Sequence, residues 1–306
     1  MLLICKDSFT YYSMKKNNAF YTRRKKLKKN WVILFSILMI LSILSGCGNS
    51  SKNADAPTND KKDDKQLKIG FNPGPYIDQF KLGIEPILKE KGYKIKYVNF
   101  TDGIQPNLAV AEGTIDANVF QHKLYMESIN DKENIDLTGA VQVPTPPMGL
   151  YSSKHKKLEA KKGTTVSMPS DPVNMTRAMR ILEDIGWITL KKDVDPIKIS
   201  QEDIAENKYN IKIIPMEAAQ GPRALQDVDY VAVQGNFAVS SGLKLTSALQ
   251  LEKMESPYIN VVAVKKENVK KQYVKDIIDA YHSKEFKAVI SSTKEFEGYT
   301  LPDYFK

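Results

Sequence analysis

Cysteine is nearly absent from this chain. Of 306 residues only Cys5 and Cys47 are cysteines, and a long apolar run lies between them. If the leader that holds Cys5 is removed, Cys47 has no internal partner, so no disulfide framework is expected. Histidine is almost as scarce: His122, His155 and His282 are widely spaced and give no metal-ligand pattern. There is no Walker loop, GxGxxG, CxxC or GxSxG run and no internal repeat, and no nucleophile is visibly paired with a base. Nothing therefore points to catalysis, and neither a cofactor nor a metal is expected.

Positive charge is also scarcer than the total suggests. The formal net charge is +9, yet residues 1–46 hold nine Lys/Arg against one Asp, which leaves +1 for everything from Cys47 onward. A near-neutral body has no electrostatic footprint for a polyanion, so no nucleic-acid partner is expected.

What is present begins with a leader. Residues 15–29 are basic, 31–44 are apolar, and Ser45 and Gly46 are small. This is the layout of a secretory signal, and fourteen apolar residues fall short of the roughly 20 that span a bilayer. The run Leu44-Ser45-Gly46-Cys47 resembles the lipobox of bacterial lipoproteins, which implies that the Cys47 thiol takes a diacylglyceryl group and becomes the mature N-terminus. Residues 48–65 (GNSSKNADAPTNDKKDDK) contain no aliphatic side chain larger than Ala. Such a segment cannot bury enough surface to fold, and its eighteen residues should act as a tether of roughly 20–25 Å.

The body alternates strand and helix. LKIGF (67–71), KIKYVNF (94–100) and IDANVF (115–120) read as strands, with helices expected over 77–91 and 105–112. VQVPTPPMGLYS (141–152) has three prolines in an extended apolar segment, which suits a crossover and not a central strand. The alternation then resumes: strands at 165–168, 211–214 and 230–233, and a helix over 172–185. INVVAV (259–264) reads as a second extended crossing, ahead of one long amphipathic helix carrying Val274, Ile277, Ile278 and Tyr281. The class is α/β, with two units on mostly parallel or mixed sheets, joined by two crossings so that a cleft and hinge lie between them.

Three places could hold a ligand. In SDPVNMTR (170–177) a capped helix start stands beside Arg177, a pairing that suits a carboxylate but equally an ordinary capped helix with a solvated Arg. FQHK (120–123) ends a strand, where ligands meet open α/β sheets, so Phe120 and His122 are candidates for an aromatic wall. In 217–225 Gln220, and after the strand at 230–233 Gln234, are loop-like polar groups suited to specificity contacts.

These stretches also carry a family. FTDGIQPNLAVAEGTIDANVFQH (100–122), PPMGLYSSKHKKLEA (146–160), PSDPVNMTRAM (169–179), AAQGPRALQDVDYVAVQGNFA (218–238) and SPYINVVAV (256–264) resemble, in order and spacing, the methionine-binding lipoproteins of the NlpA/MetQ family. The resemblance implies a two-lobed periplasmic-binding-protein fold of type II. The expected division is a signal over 1–46, Cys47 and tether over 47–65, one lobe from 66–148 with 257–306, and the other from 149–256. It further implies that L-methionine or a close relative lies in the cleft, its carboxylate on Arg177 and Asn174 and its side chain near Phe120 and His122. The partners would be an ABC permease with its ATPase and the membrane, reached through the lipid anchor on the extracytoplasmic face, with the receptor a monomer. A different solute, such as a methionine dipeptide or another apolar amino acid, and an adhesive surface lipoprotein are the alternatives.

Two departures bear on the ligand. The family reads FTDYVQPN where this chain reads FTDGIQPN, so Gly103 stands where a tyrosine flanks the ligand side chain. An enlarged pocket is expected, with Tyr76 a candidate to refill part of it and Gly103→Tyr expected to tighten methionine. Gln234 replaces the usual ligand-contacting asparagine and adds a methylene.

Overall fold

The computed structural model describes residues 65–195 and 197–306. The expected leader over 1–46, the lipidation site Cys47 and the tether up to residue 64 lie outside the described residues. Among those described, no helix is long and apolar enough to cross a membrane.

The chain opens with β1 (Lys65–Phe71), whose burial deepens toward its carboxyl end. Helix α1 follows over 76–90, with a π-turn at Phe80–Ile84 between two α segments. Its apolar positions Phe80, Ile84 and Leu88 are spaced to face one side and are fully buried. Gly92 takes a positive φ of 85° and turns the chain into β2 (Tyr93–Asn99). Helix α2 (Gln105–Ala111), strand β3 (Ala117–His122), helix α3 (Lys123–Glu133) and strand β4 (Leu137–Gln142) complete this half.

These strands form a five-stranded sheet in the order β2-β1-β3-β12-β4. Strand β12 (Asn260–Lys265) enters from far along the chain and runs antiparallel between β3 and β4. INVVAV is thus an interior strand of the first sheet, and the crossing expected there lies just ahead of it, over 252–259. Val262, Ala263 and Val264 are fully buried, which is why the segment is continuously apolar.

The second sheet has the order β11-β5-β10-β6-β9. Its central strands β6 (Thr165–Pro169), β9 (Lys212–Met216) and β10 (Tyr230–Val233) are parallel, while β5 (Gly149–Tyr151) and β11 (Gln250–Leu251) run antiparallel to their neighbours. The end of the proline-rich segment therefore pairs on both sides as β5, a correction to its reading as crossover alone. Its prolines, Pro144, Pro146 and Pro147, lie between the end of β4 at Gln142 and the start of β5 at Gly149, so none interrupts either ladder. Helix α4 (Pro172–Asp184) covers this sheet, with Met175, Met179 and Leu182 packed into the second core beside Trp187 and Tyr230. β7 (Ile188–Leu190) and β8 (Ile204–Asn207) form a small separate hairpin.

The expected single C-terminal helix is two: α5 (Gln272–His282) and α6 (Lys284–Ser292). Ser283 between them is extended (ψ 155°), and its hydroxyl accepts from the Phe286 N–H at 3.1 Å, so it starts a second helix.

Two crossing segments, 143–148 and 252–259, join the halves and are tied to each other and to β12. Glu252 N–H donates to the Met148 carbonyl at 2.9 Å, Val143 N–H to the Asn260 carbonyl at 2.8 Å, and Asn260 N–H to Thr145 Oγ1 at 2.9 Å. Gly235, first residue of the short helix Gly235–Ser240, presses against this crossing. A Cβ there would meet the Pro146 carbonyl carbon at 2.5 Å and its Cβ at 2.6 Å. Backbone cannot swing aside as a side-chain tip does, so Gly235→Ala is expected to destabilise the fold by about 1–3 kcal/mol. Chemical denaturation checks it; a wild-type midpoint would mean that the crossing yields freely.

Candidate functional site

The cleft between the sheets is lined from both: Asn72, Tyr76, Phe120, His122 and Tyr125 come from the first, Asp171, Asn174, Arg177, Gln234 and Asn236 from the second. It encloses about 770 Å³, its open mouth included. Charged, amide and aromatic side chains line it together, a mix that suits a small zwitterion with an apolar side chain.

Its first wall comes from the abrupt junction of β3 and α3. His122 ends the strand and also caps the helix, its Nδ1 accepting from Tyr125 N–H at 3.1 Å. That bond puts the ring proton on Nε2, which donates to Asn174 Oδ1 at 3.1 Å. Burial, and then the Arg177 charge, pull the His122 pKa down to about 3 against the Asn174 bond. The ring is neutral throughout the physiological range. Tyr125 and Tyr258 stand edge-on to it, with centroids at 6.2 and 5.3 Å.

The second wall is the start of α4. Asp171 caps the helix, accepting from Asn174 N–H at 2.9 Å and from its side-chain amide at 3.0 Å. Burial pushes the Asp171 carboxyl up, opposed by those Asn174 bonds and by Arg177. The helix start thus already carries a carboxyl of its own, which leaves Arg177, and not the helix end, as the group there suited to a further carboxylate.

Arg177 is 5% exposed and is not solvated. Its Nε donates to Glu252 Oε2 at 2.9 Å, its Nη2 to Glu252 Oε1, and its Nη1 to Asn174 Oδ1 at 3.0 Å. The guanidinium also lies over the Tyr258 ring, 5.4 Å from the centroid. Burial acts against its charge, but the Glu252 carboxylate beside it more than compensates. A guanidinium has five N–H donors. Three are used, and two have no partner among the described residues.

Glu252 is absent from the sequence reading. It lies in the crossing, 75 positions from Arg177, and also accepts from Met148 N–H at 2.6 Å. One acid after a short strand gives no signal of that pairing.

Among the expected residues, Arg177, Asn174, Phe120, His122, Gln234, Tyr76 and Gly103 all line the cleft. Gln220 does not. It is exposed on the 3-10 helix Ala218–Gln226 and accepts from Arg223 at 3.3 Å, while Glu217 and Ala218 face the cleft instead. Two residues of 3-10 winding carry Gln220 away from Ala218. Gln234 Oε1 and Asn72 Oδ1 are buried without a hydrogen-bond partner among the described residues, acceptors that suit a donor brought by a ligand.

The space at Gly103 is not left open. The atoms nearest to where a Cβ would stand belong to Tyr125: its hydroxyl, closer than any real Cβ contact, and Cζ at 3.1 Å. Tyr125, and not Tyr76, fills that corner. The expected enlargement is therefore corrected: Tyr125 occupies the corner, and a side chain at 103 would have to displace its hydroxyl.

Comparison with known proteins agrees with this architecture. The family model described as NlpA lipoprotein matches residues 67–304. The D-methionine-binding lipoprotein MetQ of Salmonella typhi is 34% identical over 247 residues, 79% of this chain and 87% of that protein. A nutrient binding protein from Burkholderia cenocepacia, solved bound to methionine, is 34% identical with a TM-score of 0.71, covering 76% of this chain and 97% of that one. An ABC transporter periplasmic substrate-binding protein from Coxiella burnetii is 33% identical with a TM-score of 0.72, covering 77% and 100%.

Proposed function

The chain belongs to the NlpA lipoprotein family, and on that premise we propose that it is the substrate-binding lipoprotein of an ABC importer, with methionine as its ligand. The observation that carries this is Arg177, a buried guanidinium on the cleft with two N–H groups left unpartnered, beside the Phe120 and Tyr125 rings. A ligand carboxylate completes the guanidinium, and a thioether is soft and polarizable against aromatic edges. The ammonium group then meets Gln234 Oε1 and the carboxylates of Asp171 and Glu217.

Residues 66–148 with 257–306 and residues 149–256 act as two lobes that close over the ligand about the tied crossings. Asn236 Nδ2 to the Pro73 carbonyl, at 3.3 Å, and His122 to Asn174 are contacts that closure makes. Lipidation at Cys47 anchors the monomeric receptor to the extracytoplasmic face, and the permease with its ATPase receives the solute. We infer no catalytic role, because both His122 nitrogens are engaged by protein groups and, among the described residues, no nucleophile bonds to them.

Calorimetry on ligand-stripped protein with L-methionine, D-methionine, leucine and a methionine dipeptide tests the reading. Saturable binding of a methionine enantiomer in preference to leucine is expected. Binding of the dipeptide alone would assign a larger solute to the cleft.

A further inference from the structure

After α6 the chain runs back to the first crossing as a strap over 293–306. Phe296 and Tyr299 anchor its start in the first core, with ring centroids 5.7 Å apart. Gly298 between them turns at a positive φ of 82°, where a Cβ would stand 3.8 Å from Leu245, a residue of 149–256. Thr300 then makes both bonds of one antiparallel rung with Thr145. The Thr145 N–H donates to the Thr300 carbonyl at 3.0 Å, and the Thr300 N–H to the Thr145 carbonyl at 2.9 Å. Four residues on, the Tyr304 hydroxyl donates to the Gln142 carbonyl at 2.9 Å, and the Phe305 ring stands edge-on to Phe286 at 6.1 Å.

Thr145 is where this strap meets the cleft. Its buried hydroxyl donates to the Val143 carbonyl at 2.7 Å and accepts from Asn260 N–H at 2.9 Å, so the first crossing, the start of β12 and the strap are fastened at one residue. Thr145, Pro146 and Asn260 line the cleft, and no strap residue does. The far end of the crossing is held separately, because Glu252 takes both Met148 N–H and Arg177. Packing does not account for the rung: Thr300 is only half-buried and Leu301 beside it is 41% exposed, so backbone is fastened there with little side-chain burial.

From this geometry we propose that Thr300 is a positioning residue for ligand binding. By clamping Thr145 it holds the first crossing still on the side of the first sheet, so that the lobes turn about 146–148 and the cleft groups meet in register. This rests on the substrate-binding reading above and deepens it, adding a control that never touches the ligand. Freed from the rung, the crossing samples arrangements in which the cleft does not close, and apparent affinity falls with the share of binding-competent molecules.

Thr300→Pro, in the full chain in detergent, removes the N–H that bonds the Thr145 carbonyl and leaves the Tyr299, Tyr304 and Phe305 anchors in place. Phe305→Ala is the comparison, since it removes packing and keeps the rung. Calorimetry with L-methionine well below the melting temperature reports binding, and hydrogen exchange without ligand reports the amides of 143–145 and Asn260. Thr300→Pro is expected to weaken methionine about two- to tenfold, the worth of one net hydrogen bond, and to quicken exchange at those amides. Phe305→Ala is expected to melt earlier with its affinity unchanged. Wild-type affinity in Thr300→Pro, unchanged exchange in the crossing, or equal weakening by Phe305→Ala overturns the assignment. If the wild-type chain binds no methionine, it is the substrate reading that fails, and exchange alone decides the strap. The crossing amides must then quicken in Thr300→Pro while those of β6 and β10 keep their rates, and unchanged crossing rates overturn it. If Thr300→Pro does not fold, Tyr304→Phe takes its place, since it loses only the bond to the Gln142 carbonyl. It must weaken methionine and quicken exchange at 143–145, and a wild-type value for either overturns the strap's role.

Discussion

Arg177→Ala is expected to abolish measurable methionine binding and to destabilise the ligand-free protein as well. Both effects come from one guanidinium. On the ligand side, the carboxylate would enter a buried cleft without its counter-charge, a loss of about 2–5 kcal/mol in affinity. On the protein side, Glu252 would remain 8% exposed with its cation gone. A buried charge stripped of its partner destabilises by about 3–5 kcal/mol, far more than the net worth of an intact pair. The two losses separate in a second variant. Replacing Arg177 and Glu252 together by methionine removes the orphaned charge, so stability should return toward wild type while binding stays lost. Denaturant melts and calorimetry on the three proteins check this. Recovery of binding in the double variant would show that Arg177 serves only the crossing and not the ligand.

The second large effect is acid instability set by His122. Its folded-state pKa of about 3 lies below the ordinary histidine value of about 6.5. Between those two pH values the unfolded chain binds a proton that the folded chain refuses. The contribution is therefore complete above about pH 6.5 and falls as pH drops, by up to about 1.4 kcal/mol per unit and about 4 kcal/mol by pH 3.5. Asp171 works the other way in the same range, because burial has raised its carboxyl and the folded chain takes up that proton first. The clean quantity is thus the difference between wild type and His122→Gln, which keeps a polar group toward Asn174 without the titration. That difference should open steadily below pH 6.5 and be flat above it. Parallel acid limbs for the two proteins would rule out His122 as the cause.

The order of strands and helices was largely legible because burial here writes itself as pattern. β12 is a continuous apolar run since both its faces are covered, and α4 carries its methionines at helical spacing beneath a clear Asp-Pro start. Helix α3 was not legible. KLYMESINDKE buries only Met126 and Ile129, so its apolar stripe is too thin to stand out. That omission hid Tyr125 as well, whose position three residues after His122 has meaning only on a helix. Phe120, His122 and Arg177 could be named as cleft candidates from chain position at a strand end and a helix start, and Asn174 only through the family resemblance. Glu252 could not, because the partner that orients Arg177 is fixed by how the two crossings lie together. Gln220 failed for a local reason: in a 3-10 turn two residues suffice to carry a side chain from cleft to solvent.

A cleft that holds methionine on Arg177 should keep it through gentle purification, so what the protein carries can be read directly. Native mass spectrometry of the gently purified protein, followed by release and identification of the bound small molecule, reads this without choosing a ligand beforehand. Methionine is expected to be released from the wild-type protein, and Arg177→Ala is expected to be empty. Release of a different class of molecule, or of methionine equally from both proteins, would contradict it.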